Sequence, residues 1–194
     1  MKEQNETHQQ SIFDTTGLLP AKSWKVAILH IAILIAVVFV TEVSKARADM
    51  VFDFQMKLAQ KGNAEAQLMV GEMYETGRGV ERNMEQAISW ISKAAEQGNK
   101  AAGYKLLYYD LEKHGVIADN KEQLDELVGA ANAGDGHAQY YFGLMHTRGV
   151  GMRKNNKQAL NWLSRASLQG ITVAEDEIMR INEVRDSPKH HQLN

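Results

Sequence analysis

AEAQLMVGEMYETGRGVERNMEQAISWISKAAEQG, residues Ala64 to Gly98, is followed seventy-two residues later by a near copy, HAQYYFGLMHTRGVGMRKNNKQALNWLSRASLQG, from His137 to Gly170. Ala66-Gln67 meets Ala138-Gln139, Gly71 meets Gly143, Gly77 and Gly79 meet Gly149 and Gly151, Ala87 meets Ala159, Ala94 meets Ala166, and Trp90 meets Trp162. Glycine and tryptophan are too sparse for chance to align them so often. Gly62, Gly98, Gly134 and Gly170 stand 36 residues apart and close the runs AQKG, AEQG, ANAG and SLQG. A fixed period of that size is the signature of a solenoid.

Within a unit, apolar residues recur at three- and four-residue spacing, which predicts two helices, near Ala64 to Thr76 and Met84 to Gln97 in the first unit. Ala87, Trp90, Ile91, Ala94 and Ala95 share a face of the second helix. Ala66 and Gly71 let neighbouring helix axes approach closely. Trp90 and Trp162 are expected to be fully buried between units, each costing about 3 to 5 kcal/mol on truncation to Ala. Gly77-Arg78-Gly79 and Gly149-Val150-Gly151 fall where one helix must stop and the chain reverse, a task suited to left-handed glycine. No strand precedes them and no Lys-Ser/Thr follows, so they do not read as phosphate cradles.

The middle unit keeps Ala102, Gly115, Val116, Ala130 and Ala131 but has Leu107 at the glycine position and Glu126 at the tryptophan position. Half units frame the set. Val51 to Gln60 places Phe54 where a tryptophan would fall, and Thr172 to about Val184 places Ala174 at the start of a fourth first helix. Such terminal pieces act as caps.

On these motifs, and with Tyr74 in the first unit, the chain resembles the Sel1-like repeat family, relatives of the tetratricopeptide repeats, over about Val51 to Ile181. The third unit departs by His146 for Tyr74 and Ser167 for Ala95, and the second is a degenerate copy. The resemblance implies an all-α superhelical solenoid of about three helix-turn-helix units, near 62–97, 98–133 and 134–169. It also implies a scaffold, adaptor or regulator, often in bacterial envelopes, without shared catalytic residues.

Val26 to Val40 reads VAILHIAILIAVVFV, broken only by His30 and flanked by Lys22, Trp24 and Lys25 before and Glu42 after. Fifteen helical residues span about 22 Å against a hydrocarbon core of roughly 30 Å, and Ser23, Trp24 and Thr41 lengthen the run. Residues 24–41 are accordingly expected to be a transmembrane anchor, with a polar tail at 1–23, a linker at 42–50, the solenoid at 51–185 and a second tail at 186–194. The other reading is a secretory signal cut at Ala46-Arg47-Ala48. Either places the repeats outside the cytoplasm, as a single-pass inner-membrane protein with periplasmic repeats or as a soluble periplasmic one cleaved after Ala48.

The 194 residues include no cysteine, which removes disulfides and thiolate metal sites. From residue 49 to 186 there are 16 Lys and Arg against 20 Asp and Glu, a net of −4, and nucleic acid is not an expected partner. His114, His137 and His146 lack ligand spacing, no G-x-S-x-G surrounds Ser89, Ser92, Ser164 or Ser167, and Asp125-Glu126 and Glu175-Asp176-Glu177 read as solvated helix faces. No catalytic residue, metal or cofactor is therefore expected. The candidate partner surface combines Tyr104 and Tyr108, within a set that includes Tyr109, Tyr140 and Tyr141, with the basic Arg148, Arg153, Lys154 and Lys157. An acidic middle of Asp110, Glu112, Asp119, Glu122, Asp125 and Glu126 stands beside it. The predicted function is a membrane-tethered or exported adaptor that holds a protein or peptide on a concave face of first helices. An envelope enzyme or glycan binder, and a structural part of an envelope machine, are the competing readings.

Overall fold

The computed structural model describes residues 21–186, with side chains described at 28–39 and 47–185. It contains α1 (Ala21–Gln60), α2 (Ala64–Thr76), α3 (Met84–Glu96), α4 (Lys100–His114), α5 (Ala118–Ala133), α6 (Gly136–Arg148), α7 (Asn156–Ser167) and α8 (Val173–Asp186). The chain divides into two units between Ala48 and Asp49.

In the first unit the helical residues 28–39 are exposed along their length, Ile33 and Phe39 among them. Among the described residues no helix is long and apolar enough to cross a membrane. The anchor expected at 24–41 includes residues 24–27, 40 and 41, whose side chains lie outside the described residues, and most of the two tails lies outside them as well. Helix continues across 42–50, where a linker was expected. That stretch, EVSKARADM, has neither glycine nor proline and is rich in helix formers.

The second unit is all helix among the described residues, a solenoid of hairpins α2–α3, α4–α5 and α6–α7 capped by the end of α1 and by α8. Five helix starts are set by a side-chain cap. Asn63, Asn83, Asn99, Asp135 and Asn155 turn their side-chain oxygens to accept the amides of Ala66, Gln86, Ala102, Ala138 and Gln158 at 2.8–3.1 Å, satisfying donors that a helix end otherwise leaves orphaned. The first helices of the outer units end on Gly77 and Gly149, in the left-handed region at φ 74° and 77°, with their amides donating back to Met73 and Met145.

Close approach explains the outer hairpins. A Cβ on Gly71 would lie 2.5 Å from Ile91 Cγ1, and one on Gly143 would lie 2.8 Å from Leu163 Cγ, so only glycine admits this packing. Ala87, Ile91, Ala94, Ala159, Leu163 and Ala166 are buried completely as a result. Ala66 and Ala138 are buried on the facing helices. A glutamine clamp closes each outer unit. Gln67 donates to the Ala59 carbonyl at 3.1 Å and accepts from Gln97, while Gln139 donates to the Ala131 carbonyl at 3.1 Å and accepts from Gln169 at 2.7 Å.

The tryptophans depart from expectation. Trp90 and Trp162 are half-buried, because Ile91 and Leu163 next to them take the innermost position. Trp90 packs at the edge of the Ala59, Ala66 and Val70 cluster under Lys93, and Trp162 packs on Phe142 at 5.1 Å under Arg165. Phe54 does not play a tryptophan's part either. It is 59% exposed, and Phe52 makes the capping contact instead, edge-on to Tyr74 at 5.4 Å. Ala174 is fully buried against α7, as a fourth first helix requires.

Candidate functional site

The first helices lie side by side and are tied across unit boundaries. Lys105 on α4 reaches Glu72 at 3.1 Å and Glu75 at 2.7 Å on α2, with only 12% of its own side chain exposed. Tyr108 on α4 meets Tyr141 on α6 at 6.4 Å, and Arg148 at the end of α6 reaches Glu177 on α8 at 3.8 Å. These ties frame a groove of about 470 Å³ running over α2, α4, α6 and α8.

Aromatic rings form the groove floor. Tyr140 and Tyr141 are edge-on at 5.0 Å, and Tyr108 and Tyr109 at 6.3 Å. Burial raises the pKa of all four phenols, Tyr108 to about 12 with the Glu112 carboxylate assisting, so they enter recognition as neutral hydroxyls. The Tyr109 hydroxyl is buried beside the Glu75 carboxylate, which opposes its ionisation further. Charge flanks the floor at both ends: the Glu72, Glu75 and Lys105 group at one, and Arg148 with Arg180, 3.4 Å from Glu177, at the other.

The residues singled out from the sequence separate into three places. Tyr108 and Arg148 come together in the groove. Tyr104 does not. At 9% exposure it belongs to the core with Leu107 and Leu127 and borders another cleft, lined by α4, α5 and the end of α3. Arg153, Lys154 and Lys157 are exposed but do not line the groove, because the α6–α7 connection and the first turn of α7 carry them past its end. Glu177 was expected on a solvated face and is instead 8% exposed and ion-paired, while its neighbour Glu175 accepts from Ser167 at 2.9 Å. Lys105, Glu72, Glu75 and Tyr109 were not anticipated as a set, since they meet only through tertiary packing.

Asp110 and Glu112 do not converge as a catalytic pair would. Asp110 is held by Asn120 at 2.7 Å and His114 at 2.8 Å, which keep its carboxyl below the usual carboxylate range, whereas Glu112 accepts from Tyr108 in the groove at 3.3 Å. Among the described residues no three His, Cys, Asp or Glu side chains are grouped to hold a metal.

Comparison with known proteins agrees with the repeat. The Sel1 repeat family model matches residues 64–99 and 136–171. The chain is 33% identical over 130 residues to chitin synthase regulatory factor 3 of Schizosaccharomyces pombe, covering 66% of this chain and 14% of that protein. It is 32% identical over 119 residues to the ERAD-associated E3 ubiquitin-protein ligase component HRD3B of Arabidopsis thaliana, covering 59% and 18%. The chain thus spans less than a fifth of either relative. Among solved structures it is similar to c5321, a protective antigen of uropathogenic Escherichia coli strains with an SLR fold, at 31% identity and TM-score 0.43 over 69% of this chain and 28% of that one.

Proposed function

The chain belongs to the Sel1-like repeat family, whose repeats are protein-interaction scaffolds, and on that premise we propose that this one is a non-catalytic adaptor gripping an extended protein segment in the groove over α2, α4, α6 and α8. The observation that carries the reading is the floor of four tyrosines, Tyr108, Tyr109, Tyr140 and Tyr141, set between two charged rims. Neutral aromatic rings supply apolar contact at low entropic cost. The ion pairs at the two ends neutralise the groove's own charges and leave polar rims that set the direction of the bound chain.

Tethering belongs to the same proposal. The exposed apolar residues 28–39 sit in an expected anchor at 24–41, which holds the repeats at a membrane, in the inner membrane with the solenoid in the periplasm or released there after cleavage following Ala48. The support is the exposed apolar helix. Sequencing the mature N-terminus separates the two forms.

A photo-crosslinking residue at Met69, on the groove rim, tests the adaptor reading against one at exposed Ser89 on α3. In intact cells Met69 is expected to give a discrete crosslinked protein that Ser89 does not, and Arg148→Glu is expected to weaken it. Identical crosslinks from both positions would remove the groove from consideration.

A further inference from the structure

The middle hairpin departs from its neighbours in a concerted way. At the four positions that close an outer unit it has Gly103 for Gln67 and Gln139, Leu107 for Gly71 and Gly143, Glu126 for Trp90 and Trp162, and Ala133 for Gln97 and Gln169. Both glutamines of the clamp are thus gone, and Leu107 stands where close approach demands glycine. The α4–α5 pair consequently touches over a much shorter stretch than α2–α3 or α6–α7.

A cleft of about 490 Å³ opens where the clamp is lost, its apolar wall made by Tyr104, Leu106 and Leu107. Gly103 lines it, and a Cβ built there meets nothing within 4 Å. The rim carries the carboxylates of Glu126 and of Asp110, the latter bonded to Asn120 and His114, against the single ammonium of Lys100. Asp119, Glu122 and Glu126 continue that negative charge along one face of α5 at three- and four-residue spacing. None of the cleft's residues belongs to the tyrosine groove.

We propose that this cleft is a second binding site, which takes one or two large apolar side chains presented between Lys or Arg residues of a partner peptide. The volume suits such side chains and the wall is apolar. Charge complementarity names the rest of the occupant, because carboxylates beside an apolar slot favour a cationic flank and repel an acidic one. The site does not depend on what the groove binds.

The test uses the full chain in mild detergent and the fluorescently labelled, end-blocked peptide Lys-Ala-Leu-Phe-Ala-Lys, read by anisotropy. Saturable binding is expected, at least tenfold tighter than for the same peptide with both lysines replaced by glutamate, or with alanine in place of leucine and phenylalanine. Gly103→Leu fills the cleft and is expected to weaken binding at least tenfold with an unchanged or raised Tm. Glu126→Lys, at an exposed position, should weaken it comparably, while Arg148→Glu in the groove leaves it unaltered. Equal binding of the glutamate peptide, full affinity in folded Gly103→Leu, loss through Arg148→Glu alone, or no saturable binding of the lysine peptide would each overturn the proposal. If Gly103→Leu does not fold, Glu126→Lys decides.

Discussion

Glycine at two sites on the first helices, Gly71 and Gly103, has two opposite meanings, and substitution separates them. In Gly71→Ala the new methyl meets Ile91 Cγ1 at 2.5 Å and the Ala87 carbonyl oxygen at 3.0 Å, and because that second contact is backbone it cannot rotate away. A loss of about 1 to 3 kcal/mol is expected from such overpacking. Gly103→Ala meets nothing and exchanges a poor helix former for the best one, so a gain of up to about 1 kcal/mol is expected. Urea-unfolding midpoints of the two variants should move in opposite directions. Burial likewise reorders the tryptophan and its neighbour. Ile91 is fully buried and Trp90 half-buried, so Ile91→Ala, at about 2 to 5 kcal/mol, is expected to cost more than Trp90→Ala. His146 adds a pH signature, its ring 4.8 Å from Phe142 and its buried Nδ1 without a partner among the described residues. Burial lowers its pKa, against a hydrogen bond to the Arg153 backbone that raises it. The unfolded imidazole therefore takes up its proton at higher pH than the folded one, and stability falls as pH drops from the ordinary value toward the lowered one. Between pH 7.5 and 5.5 the Tm of the native chain should fall further than that of His146→Phe. Parallel curves would exclude the effect.

At the scale of elements, the glutamine clamp joins three helices through one buried side chain. Gln139 sits on α6, donates to the end of α5 and accepts from the end of α7, so Gln139→Ala leaves the Ala131 carbonyl and the Gln169 amide to find new partners. A cost of about 1 to 3 kcal/mol is expected, with Gln169→Ala, whose side chain has solvent access, costing less. A calorimetric series of the two single variants and the double tests this, because a shared network must be non-additive. The clamp also marks how far sequence reasoning carried. Helix positions and hairpin pairing were legible, since the 36-residue period and the glycine stops repeat the same local physics in each unit. The Ala-Gln pairs were visible as a match, yet nothing in one dimension said that Gln67 meets Gln97 thirty residues on. The opening of the middle hairpin was hidden for a related reason. Leu107 stands out at the glycine position, but only the approach of Gly71 to Ile91 shows how little room that position leaves and hence how far the hairpin must open. Of the groove, Tyr108 and Arg148 could be named in advance, because tyrosine and basic residues are conspicuous in the sequence. Lys105 could not, since its partners Glu72 and Glu75 belong to another unit and only stacking brings them to it.

Across the second unit as a whole, stability is distributed as a chain of neighbour contacts, and a linear array is expected to open first at its weakest seam. That seam is internal here. The α4–α5 hairpin lacks the clamp, the close glycine approach and the tryptophan, while its neighbours on both sides have all three. It is nevertheless fastened on the groove side, where Lys105 ties α4 to α2 and Tyr108 meets Tyr141 on α6. Of the pair, α5 is therefore the looser member, held by Leu127 and Ala131 and by the Asn120 bonds to Asp110 and Gly115. Native-state hydrogen exchange on the full chain should show amides of α5 losing protection before those of α3 and α7, with α4 intermediate. Filling the cleft with Gly103→Leu should slow exchange in α5 and leave α3 and α7 unchanged. Uniform protection across the three second helices would instead mean that the middle unit's substitutions are compensated within the stack, and that the cleft is as rigid as the hairpins beside it.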